Sequence, residues 1–154
     1  MTRKLFRAAL PLFLLASGAA QAQDNGWTLE VQPATAALVR GKPQTANAFR
    51  IDCGAAKMSL STWTSRLPRN IREGEFPSSL SVFQGRTELV LGGTGRVLPT
   101  GGTRVDALVA DQAGFLRGIG QNSRFVVVTF AGRATAAAPT AQQLADFGKA
   151  CARS

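Results

Sequence analysis

Few residue types in this chain could carry chemistry. It has no His, no Tyr and only two Cys in 154 residues. Without His there is no Ser–His or Cys–His nucleophile, no imidazole ligand for a metal and no imidazole pH switch. Two Cys cannot build a four-thiolate zinc site. Carboxylates remain as general acid/base candidates. Asp52, Asp106 and Asp111 fall on or beside strand-like segments, and Glu73 and Glu75 lie in a long polar connection. Their spacing selects no catalytic pair, and Asp52 beside Arg50 has the alternation of an exposed ion pair on a strand face. No Ser precedes Lys42, Lys57 or Lys149 by three positions, so the Ser-x-x-Lys signature is absent. Gly92, Gly93 and Gly95 satisfy neither phosphate-loop nor dinucleotide spacing, and a strand-like run rather than a helix follows them; they read as hairpin turns. No cofactor or metal is expected.

The remaining constellation is cationic. Arg66, Arg69 and Arg72 recur every three residues within the polar connection 65–77, flanked by Trp63 and Phe76. Guanidinium forks match phosphate and carboxylate, and Trp63 could stack on a ring, so these four residues form a candidate anion-binding surface. The plainer alternative is an ordinary solvated loop.

The address of the protein bears on which anions it could meet. Arg3, Lys4 and Arg7 precede an apolar run over 8–16, and Ala20-Gln21-Ala22 supplies a small-x-small cleavage pattern. Residues 1–22 therefore read as a bacterial signal peptide of the Sec type, cleaved near Ala22, with an apolar run too short to span a bilayer. The expected destination is the periplasm, or alternatively the exterior. Cleavage removes three of 18 basic residues and none of the nine acidic ones, so the net charge falls from +9 to +6. The rest of that charge is mostly dispersed Arg. The basic pI alone would permit nucleic acid, but an exported domain is not expected to meet it.

In an oxidising compartment an even Cys count argues for one disulfide, Cys53 to Cys151, over two buried thiols. Cys151 belongs to a helix predicted over 140–152: Thr140 and Gln143 form a capping box, and Leu144, Phe147 and Cys151 share one face. Cys53 ends a predicted strand, so the bridge would staple this helix to a sheet. It would close a loop of roughly 98 residues, worth about 4–5 kcal/mol in the chain-entropy model.

The elements that must position these residues are mostly strands. Alternation predicts strands at 27–31, 36–39, 46–53 and 58–63, the last two forming a hairpin. A second hairpin joins 79–83 to 87–91 through Gln84-Gly85-Arg86. A turn at 92–95 then leads to 96–98, and a turn at 99–102 leads to a strand at 103–110. Phe115, Leu116 and Ile119 suggest a short helix over 113–119. The run 123–130, apolar on both sides, suggests a central strand, and a loop over 134–139 leads to the last helix. The fold class is mainly β, an antiparallel β-sandwich or partly open barrel with two peripheral helices, in one domain over 23–154.

Phe115-Leu116, Ile119, the run Ser123-Arg124-Phe125-Val126-Val127-Val128, Gly132, and finally Leu144, Phe147 and Cys151 together resemble the end of small exported proteobacterial proteins, loosely those of the invasion-associated locus B type. The resemblance covers roughly residues 104–151. It implies a small periplasmic β-rich domain without an established catalytic site, and assigns no residue roles. The functional expectation is a non-enzymatic binding or accessory domain contacting a partner protein or an anionic envelope component. The alternatives are a small envelope hydrolase using Asp/Glu chemistry, and an inhibitor or chaperone-like accessory of another exported protein.

Overall fold

The computed structural model describes residues 25–54 and 57–153. The signal-peptide reading of 1–22 lies outside the described residues. Nine strands and two helices follow in the order β1 (Trp27–Gln32), β2 (Thr35–Arg40), β3 (Phe49–Gly54), β4 (Lys57–Thr64), β5 (Glu75–Gln84), β6 (Thr87–Val97), β7 (Thr103–Leu108), α1 (Gln112–Gly120), β8 (Arg124–Thr129), β9 (Gly132–Ala137) and α2 (Ala141–Cys151). All strands join one antiparallel sheet ordered β1-β2-β3-β4-β7-β6-β5-β8-β9, curled into a half-barrel. Of the two architectures left open by the sequence, the barrel-like one is found.

Alternation sets the two faces. Leu38, Phe49, Ile51, Leu60, Val82, Val105, Phe125 and Val127 are buried in one cluster with Phe115 and Ile119 of α1 and Phe147 of α2, so the helices fill the concave side. The curl brings the two edge strands close together. Trp27 Nε1 on β1 donates to the Ala137 carbonyl on β9 at 2.7 Å, and its ring meets Phe125 edge-on at 5.5 Å. Phe49 completes the aromatic group, 5.1 Å from Phe125.

Both helices start where local chemistry says they should. The Asp111 side chain accepts from Gly114 N at 2.8 Å and caps α1. Thr140 and Gln143 form the reciprocal capping box of α2. The disulfide joins Cys53 on β3 to Cys151 at the end of α2, with Cα atoms 5.6 Å apart.

Three expectations are corrected. Gly92–Gly95 is no turn; it lies inside β6, which runs unbroken to Val97. A Cβ at Gly93 would strike the Asp106 carbonyl on β7, and one at Gly95 would strike the Phe76 ring on β5. These glycines therefore permit close approach within the sheet rather than a reversal of the chain. The predicted loop at 134–139 is largely strand β9, whose Ala134 and Ala136 face the core but are too small to show alternation. That extra strand makes β8 penultimate rather than central.

Candidate functional site

The arginine loop, 65–74, is carried between β4 and β5 and is tied down at both ends. The Thr64 Oγ1 accepts from Arg66 N at 3.1 Å, and Thr103 Oγ1 donates to the Arg66 carbonyl at 2.9 Å. At the far end Val97 N donates to the Gly74 carbonyl at 3.0 Å. Asn70 and Gly74 turn the chain with φ of 62° and 79°. Arg66, Arg69 and Arg72 are exposed, and none has an ion pair among the described residues.

Trp63 does not stand on the surface with them. It is 5% exposed and lies outside the main core cluster, on the convex face. In the register of β4 and β7 it sits opposite Arg104, whose guanidinium carbon lies 5.3 Å above its ring. Arg104 Nε donates to Asp106 Oδ1 at 2.7 Å, and the fully buried Ser61 Oγ donates to the same oxygen at 2.5 Å. The expectation of an exposed stacking ring fails: Trp63 is buried, and the Arg104 guanidinium already stands over its ring.

The carboxylates considered as acid/base groups are mostly bound up in structure. Asp52 and Glu30 both pair with Arg50, at 2.7 Å and 2.8 Å, the Glu30 contact reaching across β2. Burial alone would lower the Arg50 pKa, but the hydrogen bonds and charges of Asp52 and Glu30 outweigh it and raise it. Arg104 holds Asp106, Arg96 holds Glu75 with Nε at 2.8 Å, and Asp111 caps α1. Glu73 is exposed on the arginine loop. Arg50, Arg96 and Arg104 on the sheet are thus matched by acids, whereas Arg40, Arg124 and Arg133 on the sheet and the three loop arginines have no ion pair among the described residues.

Beside the loop lies an apolar groove of about 600 Å³, lined by Pro68 and Ile71 from the loop, Phe76–Ser79 from β5, and Phe130. It exists because β5 pairs with β8 only over Ser81–Phe83, so Glu75–Leu80 has β6 on one side and no strand on the other. Phe130 reaches back across the gap to meet Phe76 edge-on at 5.8 Å. Sequence reasoning placed Phe76 at the loop's flank but missed Phe130, which comes near only through the β5–β8 register. It also missed Arg133, which lies over Phe83 at 5.8 Å and with Arg124 lines a hollow of about 220 Å³. No protein-family model, curated protein or solved structure matches the chain.

Proposed function

We propose that the chain is an exported, non-enzymatic binding or accessory domain that meets an anionic envelope component or an acidic partner protein through the loop 65–74. One observation carries this reading: Arg66, Arg69 and Arg72 stand together on one short loop, all three exposed and without ion pairs among the described residues. Against the single acid on this loop, Glu73, the three arginines leave a positive excess that an external anion can meet. Anchoring at Thr64, Thr103 and Val97 limits the ordering cost of presenting it. The Cys53–Cys151 bridge is compatible with export to an oxidising compartment such as the periplasm.

Affinity capture from periplasmic extract tests the reading. Wild-type bait is expected to retain a component that elutes with salt, and a bait carrying Arg66→Ala, Arg69→Ala and Arg72→Ala to lose it. Equal retention by both baits, or nothing retained by either, overturns the proposal.

A further inference from the structure

Resting on that reading, we infer that the anion is a phospholipid surface, and that Leu67 and Phe130 enter it while the three arginines hold its phosphates. Among the described residues, five large apolar side chains are exposed, and two of them are Leu67 at 38% and Phe130 at 44%. Phe130 lines the groove, and Leu67 directly precedes Pro68, which also lines it. Polar and apolar residues interleave along the loop: Arg66, then Leu67-Pro68, then Arg69, then Ile71 beside Arg72. Apolar side chains alternating along one loop with cations that have no ion pair among the described residues suit an interface where acyl chains lie beneath anionic headgroups. The arginine stems can lie along apolar surface while their heads reach phosphate oxygens.

The free edge of β5 offers a rival occupant, an added strand from another protein. That mode draws its affinity from main-chain hydrogen bonds. Pro77 lies in the unpaired stretch and has no N–H to donate. Lipid asks nothing of the β5 backbone and uses Leu67 and Phe130, which an edge-bound strand leaves unexplained.

The test uses the exported protein with its disulfide intact and vesicles of phosphatidylglycerol mixed with phosphatidylcholine, against phosphatidylcholine alone. The wild type is expected to sediment with the mixed vesicles only, and less so as salt rises. Replacing all three arginines by Ala should weaken sedimentation about a hundredfold, at about fivefold for each cation near the surface. Because those side chains are exposed, the thermal midpoint of this variant should match the wild type. Leu67→Trp adds a reporter to a protein whose Trp27 and Trp63 are both 5% exposed. Its emission should shift to the blue on mixed vesicles, and Phe130→Ser should weaken binding. Vesicle binding that survives loss of the arginines, or a Leu67→Trp emission that does not move, overturns the inference. Binding of polyglutamate through the arginines without vesicle binding also overturns it, yet leaves the broader anion-docking reading standing. Binding of neither probe, with no component captured from extract, removes both.

Discussion

The ring of Phe76 lies directly over the backbone of Gly95, its partner in the β5–β6 register, in the space a side chain at Gly95 would need. Gly93, two residues earlier on the same face, is crossed by the backbone of β7 at Asp106 and Ala107. Two glycines thus let β6 run flush between its neighbours and leave Phe76 as one wall of the groove. Gly95→Ala is expected to force Phe76 aside and to cost about 1–3 kcal/mol, the usual range for overpacking. Gly92→Ala is the control, because nothing lies within 4 Å of its added Cβ. Urea denaturation of the two variants checks this, and equal midpoints would show that Phe76 yields without cost.

The Cys53–Cys151 bridge spans 98 residues and pins the last turn of α2 to β3. Intact-mass measurement of protein produced in an oxidising compartment should give a value two hydrogens below the reduced one. Reduction, or Cys53→Ala with Cys151→Ala, is expected to lower stability by up to about 4–5 kcal/mol. A shift that small strain or residual structure cannot explain, such as no change in the midpoint at all, would mean that α2 is held by Phe147 packing and its N-terminal contacts alone.

What was legible in the sequence follows from how local the cause is. The capping box needs only Thr140 and Gln143, and the disulfide only a count and a compartment, so both could be read directly. Strand β9 could not, because Gly-Arg-Ala-Thr-Ala-Ala has weak strand propensity and is held by pairing with β8. The glycines of β6 read as turns because their reason for being there, Phe76 and the β7 backbone, is close only in space. The candidate surface was half legible. The arginine triplet is a matter of spacing, but the cover over Trp63 comes from Arg104, some forty residues away in the chain and adjacent only through register.

That cover makes Trp63 a reporter. Arg104→Ala should open the indole to water and remove the cation from Asp106, leaving Ser61 as its remaining hydrogen-bond partner. The expected signs are a red shift in emission and a loss of about 1 kcal/mol. Arg104→Lys should keep the charge but lose the guanidinium over the ring and its two donors to Asp106 and Ser61, recovering part of the stability with little recovery of the emission. Unchanged fluorescence in Arg104→Ala would show that other groups bury the ring.

Gln143 has a role beyond its cap. Its Oε1 accepts from Thr140 N at 2.9 Å, and its Nε2 donates to the Trp27 carbonyl at 2.9 Å and to Asn25 Oδ1 at 3.2 Å. Asn25 Nδ2 in turn donates to Gln143 Oε1 and to the Ala138 carbonyl. One amide therefore joins the start of α2, the start of β1 and the segment after β9, where the two sheet edges meet. Thr140→Ala removes only the cap and should cost about 1 kcal/mol. Gln143→Ala keeps the Thr140 hydroxyl on the backbone N of residue 143 but removes the reciprocal bond to Thr140 N and the tie to β1, leaves the Trp27 carbonyl without that donor, and should cost about 1–2 kcal/mol. Hydrogen exchange separates the two effects. Thr140→Ala should speed exchange in the first turn of α2 alone, whereas Gln143→Ala should also release β1. If β1 exchange is the same in both variants, the Trp27–Ala137 contact and the aromatic group hold the seam without Gln143.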